Sequence, residues 1–486
     1  IELAATRLKV LSLEQLAAKL DERFRLLTGG SRTALPRQQT MRALIDWSYD
    51  LLSENEKTVF RRVSVFAGGC TLDAAGDVCS DERIESWDIL DVVAALVEKS
   101  MVVAELGDAD QRYRLLESTR QYALEKLLES GAQAHLRERH AAYMVKIAER
   151  AACEIESKPM GGWIAELAPE LDNFRLALDW FITERQNVER GAHLVALLFE
   201  LLVGLSRTTR SGAGANNEVW RWCEHALEAL GPDASPHLRA PLMNDMSVVS
   251  SSLGKGLTQR RDLAREGLEL FRAANDRKGI AKAMLSYGSQ LVFFGEGAQG
   301  RPLLAEALEI ARTTGDRRLI AHALALDSYA NDDIVERRLR MKEAIGLFRA
   351  AGDELGSART LSWLAEHEFR AGNTTRALEN SSEAIIVLRR RRFRANLTVQ
   401  LMNSAAYNIW LGNFQEARDR ARESMGICQE IQDHLDIPIC IQHLAYVAAE
   451  TGDARVAARL TGFADARFIQ IDEPRQGTEQ ISTIVS

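Results

Sequence analysis

Much familiar chemistry is missing from this chain of 486 residues. It has no Gly-x-Ser-x-Gly elbow, no His-Glu-x-x-His pair and no kinase catalytic loop, which removes the usual sequence signs of a hydrolase, a zinc enzyme or a kinase. "HEFRA" (His367 to Ala371) opens like a zinc-binding helix but lacks the second histidine. No Gly-x-x-x-x-Gly-Lys-Ser/Thr loop occurs, and "LGKG" (Leu253 to Gly256) lacks the spacing that cradles phosphates. Six cysteines are scattered without Cys-x-x-Cys pairs, arguing against a disulfide framework or a structural zinc site and for a reducing, cytoplasmic setting. The apolar run near "HLVALLFELLVGL" (His193 to Leu205) is interrupted by Glu200 and is too short to cross a bilayer. Excess positive charge is missing too: a net charge of −8 gives no diffuse pull toward nucleic acid or anionic lipid.

What remains, 46% hydrophobic and 27% charged residues, is ordinary for a folded chain of several domains. The second half repeats. "RAGNTTRAL", "WLGNFQEAR" and "ETGDARVAA" place Gly372, Gly412 and Gly452 at steps of 40 residues, each followed five positions later by Ala377, Ala417 or Ala457. Ala384, Ser424 and Ala464 recur in the same frame, as do Ala365, Ala405 and Ala445. The frame extends back through Ala344 and Ala307 to Gly267, about six units in all. Each unit reads as two antiparallel helices joined by a Gly-Asn or Gly-Asp turn, with Gly supplying positive φ and Asn or Asp capping the next helix.

The pattern resembles tetratricopeptide repeats lengthened to about 40 residues, which implies a solenoid with a concave groove. Carried onto this frame, the groove positions are Arg359, Glu366, Phe369, Met402, Ile409, Gln442 and Tyr446, expected to meet a protein partner or a small-molecule inducer. From Arg459 onward a further, incomplete hairpin is expected. "LRRRRFRAN" (Leu388 to Asn396) closes the second helix of one unit, where sister units carry Gly-Asp or Asn-Asp; Arg390, Arg391 and Arg392 are candidates for an anion or an acidic partner.

Upstream, Met41, Leu44, Ile45, Ser48 and Leu52 mark a first helix, Ser53 with Glu56 forms a capping box for a second, and "SWDILDVVAALVEKSMVVAEL" is a third running into a strand. "RYRLL" (Arg112 to Leu116) supplies the other strand of a hairpin, and three helices plus a hairpin describe a winged helix. Its third helix offers Asp88, Asp91 and Glu98 against Lys99, which argues against direct DNA reading. Trp47 and Tyr49 could stack on a ligand or fill a core.

"IELAATRLKVLSLEQLAAKLDERFRLLTGGSRTALPRQQTMRALIDWSYDLLSENEKTVFRRVSVFAGGCTLDAA" (Ile1 to Ala75), with "YRLLESTRQYALEKLLESG" and "LAPELDNFRLALDW", resembles bacterial signal-transduction ATPases with numerous domains (STAND), including large LuxR-type transcriptional regulators, and the similarity covers nearly the whole chain. The resemblance implies an NB-ARC-like ATPase core upstream of Ile1, carrying ATP or ADP and Mg, so that this chain is a non-enzymatic part without cofactor of its own. It also implies coupling to that ATPase domain and a ligand-induced oligomer. The family's Met-His-Asp motif falls on Leu115, Leu116 and Glu117, leaving Glu117 as the one weak nucleotide-facing candidate. The expected organisation is a remnant of the ATPase helical subdomain at 1–36, a winged helix at 37–128, a helical linker with divergent repeats at 129–255, tetratricopeptide-like repeats at 256–470 and a C-terminal segment at 471–486. The fold expected is predominantly α, a winged helix with a small β-hairpin followed by an α-solenoid. The expected function is the regulatory and sensor portion of such a protein, the alternative being a plain interaction adaptor without nucleotide control.

Overall fold

The computed structural model describes residues 41–471 except 107–110, 155–165, 209–211, 251–252, 254–255, 294, 332 and 432–435. The subdomain expected at 1–36 and the segment from 472 lie outside the described residues. Twenty-one helices and one two-stranded sheet make up the described part, so the fold is predominantly α as expected. Two compact units divide it: 41–148 with 169–187, and 149–168 with 188–471.

The first unit is the winged helix. Helix α1 (Met41–Asp50) precedes α2 (Glu54–Val63), whose capping box forms as the sequence implies: Glu56 N donates to Ser53 Oγ, and Glu56 Oε2 accepts from Ser53 N at 2.7 Å. A helix unmarked in the sequence reading follows, α3 (Leu72–Cys79), capped by Thr71. Helix α4 (Asp88–Glu98) then leads into β1 (Val103–Leu106) and β2 (Gln111–Arg114), paired antiparallel with Val103 opposite Arg114. Cys70 adds a rung to the far side of β2, exchanging two backbone hydrogen bonds with Tyr113. Gly69 makes that rung possible: its φ is +76°, and a β-carbon there would stand 2.8 Å from the Tyr113 carbonyl oxygen.

Helices α5 (Glu117–Glu129) and α6 (Gln133–Glu154) close the unit, with α7 (Leu171–Leu178) and a π-turn at Asp179–Thr183. Its core joins Val59, Phe60, Val63, Ile89, Val93, Leu96 and Tyr122. Tyr49 belongs to this core, its ring 5.8 Å from Phe60 and 5.6 Å from Tyr122, so packing explains it. Buried Asn173 locks α7 to the loop after α2: Ala67 N donates to its Oδ1, and its Nδ2 donates to Gly69 O and Glu170 Oε2. Both amide hydrogens and the amide oxygen are thus engaged, as a buried amide requires.

The second unit is a solenoid of seven helical hairpins. They are α8 (Val188–Thr208) with α9 (Gly212–Leu230), α10 (Pro236–Ser250) with α11 (Leu257–Ala273), α12 (Arg277–Phe293) with α13 (Gly297–Thr314), and α14 (Arg317–Ala330) with α15 (Ile334–Ala350). Then come α16 (Glu354–Arg370) with α17 (Thr374–Arg390), α18 (Arg394–Trp410) with α19 (Phe414–Ile431), and α20 (Ile437–Glu450) with α21 (Ala454–Ile471). The first helix of each hairpin packs on the first helix of the next, forming the inner layer, and α8 also meets α18. The last six hairpins match the repeat frame; α8 and α9 share the arrangement without its sequence marks.

Local chemistry explains the frame. Gly372, Gly412 and Gly452 have φ of +79°, +77° and +87°, and the next residue's N–H in each case reaches five residues back to close the helix end. The small residues are buried where helices cross: Ala365, Ala405, Ala377, Ala417, Ala384, Ser424 and Ala464 are all fully buried. One detail differs from expectation. Asp453 caps forward onto Val456 N, but Asn373 and Asn413 reach back, donating to Glu368 Oε2 and Asn408 Oδ1. These two asparagines therefore satisfy buried acceptors of the preceding helix. The incomplete hairpin expected from Arg459 is corrected too, because 459–471 is the second half of the full-length helix α21.

Candidate functional site

The inner helices carry one register of positions along the solenoid. In α12, α14 and α16, Lys282, His322 and Arg359 occupy equivalent places, with Ser286, Leu326 and Trp363 one turn further on. Lys282 is exposed and the other five are half-buried. Arg359 Nη2 lies 2.9 Å from His322 Nε2, and its guanidinium carbon stands 5.1 Å from the Trp363 ring centre. Since arginine only donates, His322 Nε2 accepts there.

Toward the other end of these helices, and of α18, the rings form two groups. Phe293 lies 5.0 Å from Tyr329, which lies 5.6 Å from Trp363 and 5.0 Å from His367. Phe369 lies 4.8 Å from Tyr407 and 6.0 Å from Trp410. Glu366 Oε1 pairs with Arg370 Nη2 at 2.6 Å. The Tyr329 phenol is pushed up by burial and by Glu366, with Arg370 and Arg337 opposing. The Tyr407 phenol is pushed well above its ordinary range by burial, again with Glu366 adding and Arg370 opposing. The His367 ring is lowered to about 4 by burial and by Arg337 and Arg370.

Of the groove residues expected from sequence, the structure groups Arg359, Glu366 and Phe369 on α16. Met402 and Ile409 are placed differently: only 5% and 6% exposed, they do not line an open groove. Ile409 packs with Ala417, Val447, Phe414 and Tyr446, so it joins neighbouring hairpins. Gln442 and Tyr446 are half-buried on α20; the Gln442 side-chain oxygen is buried without a partner among the described residues, and the Tyr446 phenol is raised by burial and Glu450. His322, Tyr329, Trp363, His367 and Tyr407 were not singled out from sequence. A signal was present for two of them, since stepping Arg359 and Glu366 back one repeat reaches His322 and Tyr329.

The arginine run is largely answered within the chain. Arg390 Nη2 and Arg391 Nε both donate to Glu354, Arg389 to Glu423 and Arg394 to Glu430. Arg392 takes φ +58° where the sister turn has Gly352, and Phe393 fills the place of the acidic cap, buried and without a side-chain capping bond. Glu117 begins α5, where its charge suits the helix N-terminus, and lies 3.9 Å from Arg120. Leu115 is buried and Leu116 half exposed. The face of α4 that a DNA-reading helix would use exposes Trp87, Asp88, Leu90, Asp91 and Glu98, while Lys99 pairs with Glu56. Among the described residues no cluster of His, Cys, Asp or Glu could hold a metal, and no helix is long and apolar enough to cross a membrane.

Comparison with known proteins agrees with this geometry. A winged helix-turn-helix family model matches residues 52–128, beginning after α1, and a model of anaphase-promoting complex subunit 5 matches 269–328 and 375–450 within the repeats. A Mycobacterium bovis protein provisionally named an HTH-type transcriptional regulator is 32% identical over 389 residues, covering 79% of this chain and 43% of its own length. An uncharacterized protein of the same organism is 47% identical over 132 residues, 27% of this chain and 34% of its own. The chain thus spans less than half the length of these curated relatives. In fold it is similar to a Pyrococcus horikoshii STAND protein with a tetratricopeptide repeat sensor, with TM-score 0.53 and 17% identity over 96% of this chain and 70% of that one.

Proposed function

We propose that this chain is the regulatory and sensing portion of a STAND-type transcriptional regulator. Its winged helix, its tetratricopeptide-like solenoid and its similarity to an HTH-type transcriptional regulator support that reading. The inner face of the solenoid receives an inducer or a protein partner, and the winged helix passes that state to a nucleotide-binding segment encoded outside this sequence. ATP or ADP and Mg belong to that segment, consistent with the lack of a phosphate loop here. The observation that carries the reading is the inner register of Lys282, His322 and Arg359 beside Trp363 and Tyr329: charged and aromatic groups where a bare scaffold needs only packing residues.

The mechanism that fits is relief of autoinhibition, in which a ligand shifts a closed, ADP-holding form toward an open, oligomer-forming one by binding the open form more tightly. The winged helix acts in this scheme as a coupler and does not read DNA, because acidic and apolar groups occupy the exposed face of α4. The test uses the longer protein that includes the nucleotide-binding segment. Release of a fluorescent ADP analogue is timed with and without residues 188–471. Faster release without the repeats supports the reading; an unchanged rate sinks it and leaves a simple adaptor.

A further inference from the structure

The exposed face of α4 carries a large ring that packing does not explain. Trp87 is 80% exposed, the most open of the large apolar residues described. Its backbone is already helical, with φ −67° and ψ −38°, so it extends the face that Leu90, Asp91, Ala94 and Glu98 occupy at helical spacing. Leu90 is 44% exposed, and Ala94 is exposed as well. The ring does not stand on a loose end. In the turn before it, Asp81 Oδ1 accepts from Arg83 N at 2.8 Å and from Ile84 N at 3.0 Å, and Asp88 Oδ2 accepts from Glu85 N at 3.1 Å. Buried Ile84 and Ile89 anchor the chain on either side. Trp87 is thus held in water by ordered structure, and a fixed tryptophan offers a large apolar area at little ordering cost to whatever covers it.

The charge around this stripe defines the partner. Glu82, Glu85, Asp88, Asp91 and Glu98 are exposed there against Arg83, while Lys99 is engaged by Glu56. None of the five pairs with a cation among the described residues. Aspartates in the first turn suit the helix dipole, but Glu98 in the last turn opposes it, so helix stability does not account for the set. We propose that this face of α4 docks a basic amphipathic helix of a partner protein. The apolar side of that helix covers Trp87 and Leu90, and lysines or arginines on its flanks meet Asp88, Asp91 and Glu98. The 11 residues of α4 span about 16 Å, room for three turns laid along them. DNA would bring phosphates against the carboxylates, and a neutral apolar surface would leave them desolvated and unpaired. Nothing in this docking depends on what the solenoid binds.

The test titrates the whole chain with a labelled five-turn peptide of leucine and lysine patterned as an amphipathic helix, read by fluorescence anisotropy. Controls are a scrambled peptide of the same composition, a leucine-glutamate peptide of the same pattern and a DNA duplex. The patterned basic peptide is expected to bind about tenfold or more tightly than either peptide control. Trp87→Ser is expected to weaken it at least about fivefold, as loss of a central aromatic contact does, with an unchanged melting temperature because the ring is exposed in the free chain. Asp91→Asn with Glu98→Gln is expected to weaken it by a similar factor and to flatten its dependence on salt. Equal binding of patterned and scrambled peptides, full affinity in Trp87→Ser, or DNA binding that Trp87→Ser abolishes overturns the proposal. So does self-association of the chain that Trp87→Ser removes, which would make the covering surface a second copy. Loss of peptide binding in the longer protein would assign the face to the nucleotide-binding segment and overturn the proposal as well.

Discussion

The solenoid is packed in two different ways along its length. From α10 to α15 one continuous apolar cluster runs from Ala240 through Met284, Leu304 and Leu324 to Phe348. From α16 to α21 two small islands join Ala365, Ala377 and Tyr407, and Ile409, Ala417 and Val447, while Leu361, Leu388 and Leu401 are buried outside both. Buried side-chain polar atoms without a hydrogen-bond partner among the described residues are found in both stretches. Among those residues, Arg239, Asn244 and Gln290 carry such atoms in the first stretch, and His367, Gln400, Ser404, Tyr407, Gln442 and His443 in the second, so the second has more. The backbone frame is nonetheless the same in both, because it depends on the turns and on small residues at helix crossings. The same frame therefore carries one continuous apolar cluster in the first stretch and, in the second, more of the buried polar groups that cohesion alone would have replaced.

Core truncation should separate the two most strongly. Phe348 is fully buried on α15, so Phe348→Ala is expected to lower stability by about 3–5 kcal/mol. Phe369 is half-buried in a small island, and Phe369→Ala should lose less than half as much. Denaturant titration of both variants checks this. Equal losses would mean that the islands cohere as well as the continuous cluster.

Acid should act on the two stretches with opposite sign. His367 and His443 are lowered to about 4 by burial. Between pH 6.5 and 4 the unfolded chain binds protons that the folded chain refuses, so this contribution to stability falls as pH falls. In the first stretch Asp245 is raised well above its ordinary value by burial, with Lys282 opposing and Glu200 adding. There the folded form holds its proton more tightly than the unfolded one, so this contribution grows as pH falls through the raised value. Amide exchange at pH 7 and pH 5 is expected to show α16–α20 losing protection relative to α10–α12, and His443→Phe should reduce that loss. Equal loss in both stretches would remove the electrostatic half of the comparison.

Most of the architecture could be read from the sequence because it rests on local rules. A glycine at positive φ, an alanine at a crossing and a serine with a glutamate three residues on each act within a few neighbours, so Gly372, Ala405 and Ser53 announce their roles. Helix α3 was missed because it is only eight residues long and sits between irregular segments. The site was harder to read, since the facing of an inner-helix residue depends on which neighbour covers it. Met402 and Ile409 hold groove positions in the repeat frame yet are covered. His367 and Tyr407 share one repeat position, but only packing shows that Arg337 fixes the histidine proton and that no described residue meets the tyrosine hydroxyl.

The junction between α17 and α18 lies in the looser stretch and offers a smaller test. Arg392 holds a left-handed backbone, which costs a residue with a side chain about 1–2 kcal/mol relative to the ordinary helical region. Glycine relieves that cost but loses more freedom on folding, so Arg392→Gly should stabilise the chain by about 0.5–1 kcal/mol. The matching change in the first stretch, Asn275→Gly at φ +54°, should gain less, because asparagine tolerates that region better than arginine. Thermal melting of the two variants makes the comparison; a loss on Arg392→Gly would mean that the arginine side chain does more than occupy a turn.

Glu354 provides the finest distinction. It begins α16, receives Arg390 at 2.8 Å and Arg391 beside it, and its carboxyl is held below the usual range chiefly by Arg391. All three side chains are partly or largely exposed, and pairs of this kind contribute about 0.2–1 kcal/mol, less in salt. Glu354→Gln should therefore lower stability by under about 1 kcal/mol in dilute buffer, and the difference should disappear in concentrated NaCl. A larger, salt-resistant loss would make the arginine run a clasp between hairpins and the second stretch more cohesive than its islands suggest. A small, salt-sensitive loss leaves Arg390 and Arg391 able to exchange Glu354 for another carboxylate, so the polar character of that stretch would extend from its buried seams to its outer turn.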